Sequence, residues 1–234
     1  MTTPPTRATP TALIGSALGL FAALALLLLG NGLLGSLVGI RAELEGFSTT
    51  TTGLVLATYF VGFLAGSKLT PIAVSRVGHV RVFAALAALA STGTLLHGVA
   101  VSPISWILPR ALVGACLAGL YVVAESWLNA SARNQTRGRL LSMYMVVVMG
   151  SIGLGQLLLG VADPAGLSLF ILAAGLMTLS VVPITLSSSP TPHFEMPERM
   201  RFDDLWQKSP VGIVGGFGAG VANGAIFAMG PVYG

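Results

Sequence analysis

The chain has 234 residues and a formal charge of +4; 54% of its residues are hydrophobic, only 9% are charged, and the mean hydropathy is +0.85. A soluble domain carries about 25% charged residues, so this chain cannot cover its apolar surface in water. The composition excludes a cytosolic enzyme, a disordered segment and, with Cys116 the single cysteine, a secreted disulfide scaffold; it points to an integral membrane protein.

A bilayer core of about 30 Å needs roughly 20 apolar residues of helix. Seven such runs succeed one another, approximately Ala12 to Gly39, Thr50 to Ser67, Val82 to Val101, Trp106 to Leu128, Leu140 to Val161, Pro164 to Ile184 and Val211 to Tyr233. They are continuous and rich in Leu, Ala and Gly, whereas a membrane β-strand alternates apolar and polar residues over about ten positions; the predicted class is all-α. The first run is about twice as long as the apolar region of a signal peptide and continues through Gly30-Asn31-Gly32, so it reads as a retained helix.

Short loops rich in Lys and Arg face the cytoplasm. With the N-terminus inside, ten basic residues fall inside (Arg7; Lys68, Arg76, Arg81; Arg133, Arg137, Arg139; Arg199, Arg201, Lys208), Arg41 alone falls outside, and Arg110 lies within the fourth run. The basic residues therefore read as topology signals; nucleic-acid binding would need a basic patch on a water-facing surface. The one long polar stretch, Leu186 to Pro210, reads as a cytoplasmic linker with a short amphipathic helix near Phe202 to Trp206 at the membrane interface. The expected organisation is a six-helix bundle over 1–185, a linker over 186–210 and the first helix of a second half over 211–234. Asn31-Gly32 and Asn223-Gly224 lie 192 positions apart, an offset that carries little weight in glycine-rich helices.

The segment Arg76-Val77-Gly78-His79-Val80-Arg81 between the second and third runs, and Arg110-x-x-x-Gly114 in the fourth, resemble motifs of the major facilitator superfamily. The resemblance implies a transporter built from two parallel six-helix halves, with this chain as the N-terminal half plus the seventh helix. It also implies that Arg76, Gly78 and Arg81 belong to a cytoplasmic gate, although Pro71 and Ser75 stand where the family has a glycine and an acid. In the family the fourth-helix arginine is associated with proton coupling or with anionic substrate groups, which makes Arg110 the leading functional candidate. An arginine in a span costs about 2.5–3.5 kcal/mol on insertion scales; the competing reading is that Arg110 stands near the outer end of its helix and snorkels to the headgroups.

Glu125, at the cytoplasmic end of the fourth run, is either a gate residue paired with Arg133, Arg137 or a second-loop arginine, or a solvated acid. Asn31, Tyr59, Gln156 and Asn223 are polar groups at membrane depth that either bond a neighbouring helix or line the substrate path. The resemblance, which puts helices one, four and seven on the cavity, favours Asn31, Arg110 and Asn223. Gly114 and Ala118, four apart, suit close helix packing. His97 reads as a hydrogen-bonding residue at an interface. No catalytic set, metal-ligand spacing or nucleotide loop is found, so no cofactor is expected.

The function expected is secondary active transport of a small solute by alternating access in a bacterial inner membrane, coupled to an ion gradient, with protons the leading choice; the alternative is a truncated, non-transporting scaffold or assembly factor. The lipid bilayer, a small-molecule substrate and a missing C-terminal half are the expected partners. Because the chain stops at the end of its seventh helix, the isolated polypeptide is expected to be an incomplete transporter.

Overall fold

The computed structural model describes residues 10–132, 135, 137–187 and 202–233, with side chains at 18–132, 135, 137–187, 203–222 and 224. Among these residues there is no strand, and nine helices run in order: α1 (Pro10–Leu44), α2 (Thr49–Val77), α3 (His79–Val99), α4 (Pro103–Ser131), α5 (Arg137–Leu157, continued by a 3-10 turn, Leu158–Val161), α6 (Ser168–Leu179), α7 (Val181–Thr185), α8 (Phe202–Lys208) and α9 (Pro210–Tyr233). Six stretches are long and apolar enough to cross a membrane, and α6 with α7 counts as one of them.

Most helices outrun the apolar windows read from the sequence. α1 carries Arg41 and Glu43 on its last turn, α2 carries Lys68 and Arg76, and α5 starts on Arg137. Charges placed in loops by the sequence thus sit on helix ends, because intrahelical hydrogen bonding continues past the apolar run. α4 begins at Pro103, ahead of the expected Trp106: Ser102 and Ser105 form a reciprocal capping box and Pro103 occupies the first turn, where its missing N–H costs nothing. The sixth span starts later than expected. Asp163 Oδ1 accepts the Ala165 N–H at 2.9 Å and its carbonyl accepts the Gly166 N–H at 3.0 Å, so Pro164 belongs to a turn and helix resumes at Ser168. A break at Ser180 then separates α6 from α7, with Pro183 unable to donate to the ladder.

The junction of α2 and α3 is a single residue. Gly78 has φ 86° and ψ 166°, a conformation essentially reserved for glycine, and α3 starts at His79.

Helix pairing obeys a rule. α2 packs most extensively on α4, and α1 on α5; α3 packs on α4, and α1 on α6; α3 and α6 meet each other. Exchanging α1 with α4, α2 with α5 and α3 with α6 maps these pairs onto themselves. Consecutive spans run in opposite directions, so the symmetry relates two inverted three-helix units. The internal repeat therefore lies within the first six helices, at a level that an offset of 192 residues does not reach.

Small residues set the closest seams. On α2, Gly62 and Gly66 form a G-x-x-x-G pair: a Cβ on Gly62 would strike the Ala111 backbone, and one on Gly66 the Ala115 backbone. Gly114 on α4 answers by lying against the Tyr59 backbone. On the symmetry-related seam, Gly155 of α5 lies against Leu29 and Gly32 of α1 lies against Ile152. Small-xxx-small spacing lets backbones approach closely, and in lipid such contact replaces the hydrophobic drive available in water. α9 touches α1 and α2, and a Cβ on Gly224 would meet the Phe60 ring at 3.8 Å.

Candidate functional site

α4 carries the one buried arginine among the described residues. Arg110 lies seven residues into the helix, about 10 Å from its start at 1.5 Å per residue. Its residue surface is 8% exposed and its guanidinium stands 5.2 Å from the centre of the Tyr59 ring on α2. The side chain is thus held inside the bundle. The charge rests on an aromatic face, a contact worth about 2 kcal/mol when desolvated. Nε of Arg110 is buried without a hydrogen-bond partner, and no carboxylate of the described residues pairs with it.

Next to Arg110, Trp106 is fully buried and donates its indole N–H to the His97 carbonyl at 3.0 Å, with the two rings 5.7 Å apart. His97 is itself 0% exposed, not interfacial as the sequence suggests. Its Nδ1 bonds the Gly93 carbonyl at 2.7 Å; a carbonyl can only accept, so Nδ1 carries the proton and Nε2, unpartnered, presents its lone pair when the ring is neutral.

From Tyr59 an aromatic series runs along α2 and α4. Tyr59 and Phe63 lie 6.0 Å apart, and Phe63 and Tyr121 lie 6.4 Å apart. All three residues are half-buried. The series leads toward Glu125, whose Oε1 accepts a hydrogen bond from the Tyr144 hydroxyl of α5 at 3.1 Å. Arg110, Tyr121 and Glu125 fall on one face of α4, at offsets near three and four helical turns. That periodicity is present in the sequence; the partners Phe63 and Tyr144 are not, because they come from other helices.

The remaining candidates are spread more widely. Asn31 is half-buried on α1, beside the Gly32 seam. Gln156 is exposed near the end of α5. The side chain of Asn223 and all of Arg133 lie outside the described residues. Gly114 is at the α2–α4 seam and Ala118 is buried one turn further on.

At the Arg76 end, Arg76 and Arg81 are exposed on either side of Gly78. The buried group there is His79, whose Nε2 lies 3.1 Å from Ser126 Oγ and whose ring packs edge-on to Trp127 at 5.6 Å. Ser126 donates its hydroxyl to the Val123 carbonyl at 3.0 Å, leaving its oxygen to accept from His79. Thus α4 is tied to the α2–α3 joint through Ser126 and to α5 through Glu125. Among the described residues the hydrogen-bond partner on Glu125 is Tyr144; Arg133, one of the arginines named as a partner from the sequence, lies outside them.

Six apolar spans arranged as two inverted triplets, with an arginine enclosed between the second and fourth, define a multi-pass helical membrane protein. The chain belongs to the Major Facilitator Superfamily, whose profile it matches over residues 4–234. It is 28% identical over 216 residues, 92% of this chain and 56% of the relative, to the "Uncharacterized MFS-type transporter YcaD" of Escherichia coli O9:H4 (strain HS), and equally to that of strain K12 / DH10B. The chain thus spans about half the length of the curated relatives it matches. Its fold is similar to that of a bacterial homologue of the human lysosomal transporter Spinster, in an inward-facing and unoccupied conformation, with a TM-score of 0.66 and 15% identity, covering 87% of this chain and 50% of that one.

Proposed function

We propose that the chain forms the N-terminal half of a secondary transporter, with residues 1–185 as its six-helix bundle, 186–210 as a cytoplasmic linker and 211–234 as the first helix of the opposing half. It works in a bacterial inner membrane with its N-terminus inside, moving a small solute by alternating access with proton coupling. The observation that carries this reading is Arg110: a cation enclosed at membrane depth, unpaired with any described carboxylate, is costly and calls for a functional counter-charge. Family membership and the inverted triplets support the same reading.

In this reading Arg110 and Tyr59 belong to the substrate or coupling site, with Asn31 and Asn223 on the same path. Arg76, Gly78, Arg81, Glu125 and Arg133 belong to the cytoplasmic gate. The hydrogen bonds of His79 to Ser126 and of Tyr144 to Glu125, which tie α4 to its neighbours at this end, support that part of the reading.

The test is gradient discharge in everted membrane vesicles holding this chain with its opposing half, as one polypeptide or two. Addition of a transported solute should collapse an imposed pH gradient saturably, and Arg110→Ala should abolish the response at equal abundance. Failure of organic anions, organic cations and sugars alike to discharge the gradient overturns the reading.

A further inference from the structure

We infer that His97 is a proton-binding site enclosed at the Glu43 end of the bundle, with Nε2 the atom that takes the proton and the Phe47–Trp106 contact the cover through which water reaches it. The site deepens the proton-coupled reading proposed above, on which its biological meaning rests.

Among the described residues the carboxylates Glu43, Glu45, Glu125, Asp163, Asp203 and Asp204 are all exposed. A proton held inside this half near neutral pH therefore falls to an imidazole, the side chain whose charge changes between about pH 5 and 8. His79 commits its Nε2 to Ser126. His97 does not: the residue is 0% exposed, Nδ1 donates to the Gly93 carbonyl, and the buried Nε2 meets no donor. An open acceptor at such depth is uncommon, and this one is basic. The proton comes from water and adds to the Nε2 lone pair; Nδ1–H stays on Gly93, so the neutral ring becomes a cation and no other covalent bond changes.

The cover is thin on one side only. His97 stands two residues before Val99, the end of α3, about 3 Å along the axis. Trp106 holds the His97 carbonyl through its indole N–H and contacts both neighbouring rings, His97 at 5.7 Å and Phe47 at 5.3 Å. Phe47 is half-buried and belongs to the short connection between α1 and α2, next to Gly46 with its φ of 72°. Displacing this one loop side chain uncovers the Trp106 layer from the Glu43 end, whereas from the opposite end the way runs along nearly the whole of α3.

The charges around the ring are few. α4 brings Arg110, whose field reaches His97, with Tyr59 of α2 against its guanidinium. Lys68 and Arg76 lie toward the other end of α2. α6 and α7 carry no titratable side chain, and the end of α1 brings Glu43 and Arg41, the latter paired with Glu45 at 2.7 Å. Two cations in one enclosed space repel, so a proton on His97 and the Arg110 guanidinium oppose each other, and by linkage whatever moves one affects the other.

The test is nitrogen NMR of the chain in detergent micelles, labelled at histidine, with His79→Gln and His193→Gln leaving His97 as the single imidazole. If His79→Gln impairs folding, subtraction of the His97→Gln spectrum assigns the same signal. Near neutral pH the ring should show Nδ1 protonated and Nε2 bare, and mild acid should protonate Nε2 reversibly with the fold retained. Arg110→Gln should raise the proton affinity about tenfold, the effect of removing one nearby charge. Phe47→Ala should speed exchange of the ring N–H with water severalfold. If Arg110→Gln fails to fold, the titration of the native ring and the Phe47→Ala exchange still decide.

An Nε2 that stays bare until the protein unfolds, an unchanged titration in Arg110→Gln, or an unchanged exchange rate in Phe47→Ala overturns the inference. Reversible protonation of His97 in a protein that discharges no pH gradient with its opposing half would overturn the transport reading and leave this site in place. Gradient discharge with Nε2 never protonated would do the reverse.

Discussion

Tyr59 and Gly114 meet backbone to backbone, so closely that any side chain at 114 would occupy the space of the Tyr59 main chain. This contact fixes the ring of Tyr59 under Arg110, one turn earlier on α4. Packing and site are therefore one construction: small residues bring the two backbones together, and their approach places the aromatic face beneath the cation.

The seam predicts a contrast among glycines. Gly62→Ala and Gly66→Ala each force a methyl into the backbone of α4 and should cost about 1–3 kcal/mol of stability by overpacking. Gly53→Ala, on the same helix with nothing within 4 Å, should gain about 0.5–1 kcal/mol from helix propensity. Chemical unfolding in mixed micelles measures both, and equal behaviour of Gly53 and Gly62 would refute the seam.

The cation–ring contact predicts that Tyr59→Phe keeps most of the stability and Tyr59→Leu loses about 1–2 kcal/mol. A double-mutant cycle with Arg110→Met should show that the loss disappears once the charge is gone. A zero coupling energy would leave the ring as filler beside an indifferent side chain.

Topology can be read by thiol labelling. Cys116 is buried, and a hydroxyl there would need a partner, so Cys116→Ala is the better background than Cys116→Ser. Cysteines at Glu43 and Arg76, both exposed at opposite ends of the bundle, should label differently in intact cells. An impermeant maleimide should reach position 43 from outside and reach 76 only after permeabilisation; the reverse pattern would invert the proposed orientation.

At the α2–α3 joint, Gly78→Ala must adopt φ near 86° or break the turn, at a cost of about 1–3 kcal/mol. Ser126→Ala should cost about 1 kcal/mol through the lost hydrogen bond and His79→Ala more, because its buried ring also packs on Trp127, and the double variant should cost about 1 kcal/mol less than the sum. Additive losses would show that His79 and Ser126 act apart.

Much of the fold is legible because hydropathy over twenty residues is a strong signal: the run from Val82 foretells α3 and the run from Leu140 foretells α5. Helix ends are less legible, since apolarity ends before hydrogen bonding does. Thus Arg76 sits on α2 although no apolar window includes it, while Ser102-Pro103 and Asp163-Pro164 are boundary signals that span length outweighs. Arg110 stands out because charge in a span is rare. His97 and Tyr144 do not: the depth of the first depends on α4 and the bond of the second on Glu125, both contacts between helices that no local pattern encodes. The G-x-x-x-G pair Gly62 and Gly66 is visible in the sequence, but its role as a seam emerges only once α4 lies against it.

The single-residue joint at Gly78 makes the chain intolerant of length change at that point. Each residue added to an α-helix turns the downstream chain by about 100°, so one insertion between Val77 and His79 would swing the imidazole away from Ser126 and Trp127 and carry the whole face of α3 off α4. The two helices are meshed like gears with one tooth between them. An insertion scan along the gene should therefore find a sharp loss of folded protein at this codon, with partial recovery when a full turn of three or four residues is inserted and the phase is restored.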